Sequence, residues 1–204
     1  MSVRNVVFDV GGVLLSWDPP TVIAQLHPDP AQQATIRRQM FEHADWHEFD
    51  RGTISEKDAA QHFANLTGLS VDETRRLIHA TREALRPIAG TVAIVEDLAA
   101  AGVRLYLLSN MPVTTFEYLV PRHPFFAHFE QLVISGAILM IKPEPAIYKH
   151  LVERTGIAPA ESVFVDDLLK NVIAARECGL HAIQFRDPQS CRAELRGYLP
   201  GIRL

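Results

Sequence analysis

The chain has 204 residues, of which 48% are hydrophobic and 22% charged, and its formal net charge is −4. This length predicts one domain, or one domain that carries a smaller insert, and the hydrophobic share excludes a chain too polar to form a core. The slightly acidic balance excludes a basic surface for DNA or RNA, so we expect no nucleic-acid partner.

No stretch approaches the roughly 18 apolar residues that a membrane-spanning helix needs, and the longest apolar run is residues 137–141. An acidic residue, Asp9, follows the short apolar start too soon for a signal peptide. Without a secretory signal, Cys178 and Cys191 are predicted to be reduced thiols. We therefore expect a cytoplasmic protein with no membrane partner.

Five short runs of β-branched and aromatic residues predict strands. They are residues 6–10, 103–108, 131–135, 163–165 and 181–185. Several are apolar at consecutive positions, which is typical of strands buried on both faces of a parallel sheet. Helical patterns that end at Gly102, Gly156 and Gly179 alternate with the strands. This alternation predicts an α/β fold with a doubly wound, Rossmann-like parallel sheet.

The long segment between the first two strands lacks a convincing strand and contains several helix starts. Asp29 and Pro30 are typical of an N-cap and a first helical position, and Ser55 and Ser70 each begin a capping box. We predict a small all-helical domain here, inserted into the α/β core after the first strand. The predicted core comprises residues 1–15 and 89–204, and the predicted helical domain comprises residues 16–88.

Polar residues follow the predicted strands where the chain leaves the sheet. In a parallel sheet, ligands bind outside the carboxyl ends of the strands, so these residues are expected to share one rim. They are Asp9, Gly11 and Gly12 after the first strand, Ser109 and Asn110 after the second, Lys142 before the helix that leads to the fourth, and Asp166 and Asp167 after the fourth.

This set suits the transfer of a phosphoryl group to a carboxylate. Asp9 could attack the phosphorus and become an aspartyl-phosphate, while Ser109, Asn110 and Lys142 could hold the phosphate oxygens. The glycines after the first strand let backbone N–H groups approach the phosphate closely.

The carboxylates of Asp9, Asp166 and Asp167 would repel one another unless a cation lay between them. Mg²⁺ fits, because it prefers one or two carboxylates together with water and substrate phosphate. The sequence thus predicts a magnesium-dependent site for a small phosphorylated metabolite.

Four motifs, in chain order, resemble those of the haloacid dehalogenase-like (HAD) hydrolase superfamily. They are residues 8–14, 107–110, 142–148 and 163–167, with Asn171 following the last. The resemblance covers the whole chain. It implies a phosphatase with a HAD-like core and a helical cap domain inserted between the first two motifs.

The resemblance also implies roles at the metal. Asp9 is implied as both the nucleophile and a Mg²⁺ ligand, and Gly11 as a ligand through its backbone carbonyl. Asp167 is implied as a direct ligand, Asp166 as a ligand through water, and Asn171 as a support behind them.

For the substrate, the resemblance implies that Ser109, Asn110 and Lys142 hold the phosphate. The chain departs from the superfamily at two positions. Similar proteins usually carry an aspartate that protonates the leaving group where this chain has Gly11, and a glycine where it has Leu139.

Gly11 bears on the choice of substrate. With glycine at this position, the chain resembles one subgroup of the superfamily, the bacterial α-D-glucose-1-phosphate phosphatases. Without an adjacent acid, esters whose leaving groups depart readily should react best, so we predict a sugar phosphate such as a sugar 1-phosphate. A residue of the helical domain (His47, Glu48 or Asp50) could supply part of the proton donation.

The helical domain is also predicted to set specificity, through residues 46–52. His43 and His47 have the spacing of a metal-binding pair, but no third ligand is evident, so we predict no metal there. The aromatic side chains of this region are more typical of a core than of a sugar-binding surface, although one could face the substrate. They are Trp17, Trp46 and Phe49.

Other functions are less consistent with the residues. The acidic pair 166–167 argues against a dehalogenase, and Gly11 against a phosphomutase. In a receiver domain the acidic pair precedes the phosphorylated aspartate, whereas here it follows Asp9. A phosphate-binding HAD-like protein with weak or lost turnover stays open, as does the choice between a monomer and a homodimer.

Overall fold

A computed structural model of the chain describes residues 3–202. Its centre is a sheet of five parallel strands in the order β3-β2-β1-β4-β5. The strands are β1 (Asn5–Phe8), β2 (Arg104–Ser109), β3 (Gln131–Ile134), β4 (Ser162–Asp166) and β5 (His181–Gln184). Because β2 and β4 flank β1, the three strands that lead to the predicted site residues are neighbours.

The strands are buried because they are apolar on both faces. Val6 and Phe8 pack into the apolar cluster on one face, and Val7 packs into the cluster on the other. Every residue of β1 and β4 is buried. The α/β fold with a parallel sheet is therefore as predicted.

Helices fill residues 19–83, between β1 and the rest of the core. They are α1 (Pro19–Leu26), α2 (Pro30–Ile36), a π-helical turn (Arg37–Phe41), α3 (Ala44–Arg51), α4 (Glu56–Thr67) and α5 (Val71–Glu83). The predicted helix starts are observed: Asp29 caps α2, Ser55 caps α4, and Ser70 caps α5 in a full capping box with Glu73.

These helices pack around an apolar cluster of their own, separate from the two clusters that cover the sheet. Its members include Met40, Phe63 and Leu77, which are fully buried. A separate cluster is the usual basis of a separate folding unit. The division of the chain into two domains stays a prediction, and we refer to residues 16–88 as the helical segment.

The helical segment leaves and re-enters the core at one place. The backbone N–H of Ser16 donates to the carbonyl of Arg86 at 2.8 Å, and that of Ile88 donates to the carbonyl of Leu14 at 2.9 Å. The two connections therefore lie side by side, as a hydrogen-bonded joint.

The remaining helices cover both faces of the sheet. They are α6 (Ala89–Ala100), α7 (Val113–Leu119), α8 (Ser135–Ile138), α9 (Pro145–Thr155), α10 (Leu169–Glu177) and α11 (Pro188–Tyr198), with 3₁₀ turns at Val120–Arg122, Pro124–His128 and Pro159–Glu161. Helices α6 and α11 pack on one face, and α9 and α10 on the other. Across residues 3–202, none of the helices combines the length and the apolar composition that crossing a bilayer requires.

Three predicted strands are longer than the observed ones: β1, β3 and β5, of which β5 ends at Gln184. The differences at β1 and β3 lie next to the candidate site. β1 ends at Phe8, because the chain turns at Val10, whose carbonyl accepts the N–H groups of Leu14 and Leu15 at 2.9 Å. Ser135 begins α8, although the sequence predicted it as the end of β3. Both errors lie at the carboxyl ends of strands, where the chain bends around the candidate site.

Candidate active site

A cavity of about 240 Å³ lies between the carboxyl ends of the strands and the helical segment. Most of the predicted site residues line it from the side of the sheet. They are Asp9, Gly11, Ser109, Asn110, Lys142, Asp167 and Asn171. Asp166 lies directly behind them, with no exposed surface.

Asp9 is placed by the turn that follows β1. Its side chain is nearly buried, and Oδ1 accepts the N–H of Val10 at 2.7 Å and lies 2.9 Å from the Lys142 ammonium. Burial raises the pKa of Asp9 to about 7, although the positive charge of Lys142 opposes the rise. The carboxyl is thus held in one orientation at the floor of the cavity.

Lys142 bridges two carboxylates. Its Nζ lies 2.9 Å from Asp9 Oδ1 and 2.7 Å from Asp166 Oδ2, and its side chain is 1% exposed. Burial alone would lower the pKa of Lys142, but the charges of Asp166 and Asp9 outweigh that effect and raise it. A buried charge needs such partners, so the ammonium stays protonated.

Asn110 holds the loop that carries Lys142. Its Nδ2 donates to the carbonyl of Lys142 at 3.0 Å, and its Oδ1 accepts the N–H of Lys142 at 2.9 Å. Ser109, the last residue of β2, is buried at the edge of the cavity. Asn110 therefore positions the lysine, a contact that the sequence did not predict.

The two members of the acidic pair have different surroundings. Asp166 accepts hydrogen bonds from the backbone of Leu168 at 2.9 Å and from Asn171 Nδ2 at 2.9 and 3.1 Å, in addition to Lys142. Asp167 instead borders the cavity. Burial, and then the charge of Asp166, raise the pKa of Asp167. Asp166 is thus engaged within the protein, while Asp167 faces the ligand space.

Gly12 makes room for Asp167. Its φ is +76°, which favours glycine, and a Cβ at Gly12 would lie 2.6 Å from Asp167 Oδ2. Any other residue would strain the backbone and displace the carboxylate.

The donor set fits a small divalent cation. Carboxylate oxygens of Asp9, Asp166 and Asp167 lie within 4.8 Å of one another. Nearby, Asn171 Oδ1 is a buried oxygen with no hydrogen-bond partner in the described part of the chain. Hard oxygen ligands of this kind suit Mg²⁺.

Aromatic rings form the opposite wall, on the helical segment. Trp46 lies at the centre, with ring centroids 4.6 Å from Phe41, 5.5 Å from Phe49 and 6.2 Å from Trp17. Trp46 and Phe49 are buried in the segment's own cluster, whereas Trp17 is 44% exposed. All four side chains line the cavity, so this wall is apolar.

The sequence did not predict the part of the cavity wall that α5 forms. Helix α5 contributes Ile78, Thr81 and Arg82, and Leu85 follows two residues after its end. Their spacing of three and four places them on one helix face. That periodicity could have indicated that these residues share a helix face, but it does not show which surface the face contacts.

The end of α3 supplies polar groups to the cavity. Of the three residues named as possible proton donors, His47 and Asp50 line it. The Glu48 carboxylate instead pairs with Arg51 at 3.3 Å and accepts from Thr53 Oγ1 at 2.7 Å. Burial, and then the charge of Lys170, lower the pKa of His47.

His43 lies away from the cavity, at the N-cap of α3. Its ligand atom lies within 4.8 Å of those of Asp45 and His62, a group that could hold a metal ion. The sequence showed no third ligand because His62 comes from a different helix, α4. His47, the expected partner of His43, is not part of this group.

Comparisons with known proteins relate most of the chain to one family of hydrolases. Residues 3–179 match the family of haloacid dehalogenase-like hydrolases. The sesquiterpene phosphatase of Aspergillus oryzae is 30% identical over 193 residues, which cover 95% of each chain. The D-ribitol-5-phosphate phosphatase of Bacteroides thetaiotaomicron is 23% identical over 204 residues, or 95% of this chain and 97% of the relative.

Solved structures share the fold. A crystal structure of a HAD family enzyme from B. thetaiotaomicron superposes with a TM-score of 0.78 and 21% identity, over 96% of this chain and all of the other. The complex of that enzyme with magnesium and inorganic phosphate superposes with a TM-score of 0.69 and 22% identity, over 91% of this chain and 95% of the other. Since the family match spans most of the sequence and the A. oryzae relative aligns over nearly all of it, the chain belongs to the haloacid dehalogenase-like hydrolase family.

Proposed function

We propose that this protein is a Mg²⁺-dependent phosphatase that hydrolyses a small phosphate monoester through an aspartyl-phosphate on Asp9. The observation that carries the proposal is the single buried site in which Asp9 lies 2.9 Å from Lys142 and within 4.8 Å of Asp166 and Asp167. The phosphatase relatives and the magnesium and phosphate complex of a similar fold support it.

In this proposal, Asp9 attacks the phosphorus of the ester. Lys142, Ser109 and Asn110 hold the phosphate oxygens, with Lys142 supplying positive charge and Asn110 fixing the lysine loop. The attack needs Asp9 as a carboxylate, and the Lys142 ammonium favours that form.

The metal would be held by Asp9, the carbonyl of Gly11 and Asp167, with Asp166 acting through water and Asn171 behind them. When bound, Mg²⁺ neutralises the clustered carboxylates and the phosphate charge. The partly exposed Asp167 is suited to direct coordination, since Asp166 is already engaged with Lys142, Asn171 and a backbone N–H.

The helical segment would act as a cap over the site. Its aromatic wall and α3 close the cavity opposite Asp9, which limits the entry of water during the reaction. In the same role it contacts the organic part of the substrate and so sets specificity.

Two classes of substrate fit the proposal. The predicted sugar phosphate is in line with the ribitol phosphate relative. A phosphate of an apolar alcohol is in line with the sesquiterpene phosphatase relative and with the wall formed by Trp17, Phe41, Trp46 and Phe49. That wall is the specific observation that favours the apolar class.

A screen of phosphate release tests the proposal. Sugar 1-phosphates, sugar 6-phosphates, prenyl monophosphates and p-nitrophenyl phosphate would each be incubated with and without Mg²⁺. We expect release only with Mg²⁺, and a loss of at least a hundredfold in Asp9→Asn, given the size of catalytic effects. Binding of phosphate without any release would favour the alternative of a binding protein with lost turnover.

A further inference from the structure

Departure of an alcohol from a phosphate ester requires a proton on the leaving oxygen unless the alkoxide is unusually stable. The groups on the sheet side are poorly placed to give one. Asp9 must be ionised to attack, Lys142 is bound between two carboxylates, and Asp166 is an acceptor for three neighbours. Gly11, beside the nucleophile, has no side chain.

Asp50, at the end of α3, is a carboxyl that borders the same cavity as Asp9. The Asp50 carboxyl takes part in no hydrogen bond or ion pair with the residues that the structure describes, 3–202. Its oxygens are therefore free to meet a ligand.

The backbone at Asp50 is clamped to the sheet side of the cavity. Ser135 Oγ donates to the Asp50 carbonyl at 2.6 Å, and Arg51 forms a two-pronged pair with Glu144 at 2.8 and 2.6 Å. Gly52 packs so tightly that a Cβ there would lie 2.5 Å from a backbone oxygen of α8. Three contacts on consecutive residues fix where the carboxyl sits, although it belongs to the helical segment.

We propose that Asp50 donates the proton to the leaving oxygen of the substrate, a role that rests on the proposed phosphatase function. An Asp9 carboxylate oxygen bonds to phosphorus, the bond from phosphorus to the ester oxygen breaks, and that oxygen takes the Asp50 proton and leaves as the alcohol. Asp50, now ionised, then accepts a proton from the water that attacks phosphorus. The Asp9–phosphorus bond breaks, which regenerates the Asp9 carboxylate and the protonated Asp50 and releases inorganic phosphate.

The charges around Asp50 agree with this role. Burial, and then the negative charge of Asp9, raise the pKa of Asp50 well above its ordinary value, while Lys142 opposes the rise. His47 is the other titratable group that α3 places in the cavity, and its lowered pKa favours the neutral imidazole, a weaker proton donor.

Gly11 provides an independent means of testing the donor. A Cβ at Gly11 would meet only the Cβ of Trp17, at 3.9 Å, an ordinary contact. The site therefore has room for the Cβ of an aspartate, and the carboxyl of such a residue could supply a proton from the sheet side.

The experiment is a leaving-group series measured as kcat/KM with Mg²⁺ present. It runs from p-nitrophenyl phosphate, whose leaving group departs as a stable anion, through phenyl phosphate to alkyl phosphates. The proteins are wild type, Asp50→Asn, the double variant Asp50→Asn/Gly11→Asp, and Glu48→Gln as a control on the same helix with its carboxylate outside the cavity.

We expect Asp50→Asn to lose roughly 10²–10⁴-fold on alkyl phosphates and little on p-nitrophenyl phosphate, which also shows that the variant is folded. In the double variant, Gly11→Asp should restore much of the kcat/KM lost on alkyl phosphates. Glu48→Gln should keep the wild-type dependence of kcat/KM on the leaving group. An equal loss of Asp50→Asn on every ester, beside an active wild type, overturns the proton donor alone. A wild type that releases no phosphate from any ester overturns the phosphatase function and the donor together.

Discussion

On the sheet side of the cavity the polar groups bond to one another. On the side of the helical segment, aromatic rings surround the Asp50 carboxyl, which has no hydrogen-bond partner within residues 3–202. Lys142 pairs with Asp9 and Asp166, and Asp166 also accepts hydrogen bonds from Asn171 and a backbone N–H. Trp17 and Asp50 instead present free surface to the cavity. The sheet-side wall is therefore fixed by buried charges that need partners, while the wall of the helical segment is fixed by packing and leaves its lining available to the substrate.

The largest effect should come from removing the buried positive charge on the sheet side of the cavity. Lys142→Met leaves Asp9 and Asp166 buried without their shared cation, so we expect the free energy of unfolding to fall by about 3–5 kcal/mol. Urea unfolding without Mg²⁺ at neutral pH measures it. Arg51→Gln is the control, because its partner Glu144 is 46% exposed and pairs of that kind contribute up to about 1 kcal/mol. Equal losses in the two variants would contradict the comparison.

On the sheet side, the two members of the acidic pair should have different roles, Asp167 as a metal ligand and Asp166 as a structural group. Asp167→Ala should raise the Mg²⁺ concentration needed for half-maximal activity more than Asp166→Ala does, because Asp167 borders the cavity. Asp166→Ala should lower the free energy of unfolding more, because it removes the acceptor for Lys142 and Asn171. Metal titration of activity and urea unfolding measure the two effects, and the reverse order in either assay refutes the assignment.

Loss of a ring from the apolar wall should affect substrate selectivity more than stability. Trp17→Ala should lower kcat/KM for a prenyl monophosphate by about tenfold, the scale of lost apolar burial, and leave a sugar 1-phosphate nearly unchanged. Trp17→Phe is the matched control and should keep most of the preference. Since Trp17 is 44% exposed but its ring packs on Trp46, the melting temperature should fall only modestly. A loss shared equally by both substrates would mean that the ring only shapes the site.

The smallest effect concerns Leu139, at the end of α8. Its φ of +58° is left-handed, and its side chain is 57% exposed. Leu139→Gly should raise the free energy of unfolding by about 0.5–1 kcal/mol, the cost of a side chain in this conformation less the added freedom of glycine. Leu139→Ala removes the apolar surface but keeps the Cβ, so it should show no such gain. A similar gain in the free energy of unfolding in both variants would mean that the effect comes from the exposed apolar side chain and not from the backbone conformation.

The sequence was informative where a residue's position follows from its own strand. Parallel strands bring their carboxyl ends to one edge, so Asp9, Ser109 and Asp167 were expected together, and the cavity contains them. The positions of these motif residues could be predicted without knowing how distant helices pack.

What the sequence could not show depends on that docking. Asp50 borders the cavity because Ser135 and Glu144, more than eighty residues away, clamp the end of α3. His62 meets Asp45 across two helices for the same reason. The sequence showed that Leu139 is an unusual residue at its position, but it did not show that the backbone there is left-handed. Such contacts carry no local periodicity, so spacing rules do not find them.

The hydrogen-bonded joint between Ser16 and Arg86 has a mechanical consequence. Both covalent links to the helical segment lie along this one edge, while its far edge is held by side-chain contacts such as Arg51 with Glu144 and Thr114 with Glu56. Exposed contacts of this kind are weak and screened by salt. Raised ionic strength should therefore weaken this far edge before it affects the internal packing of the segment, whereas the hydrogen bond from Ser135 to the Asp50 carbonyl and the packing of Gly52 on α8 do not depend on salt.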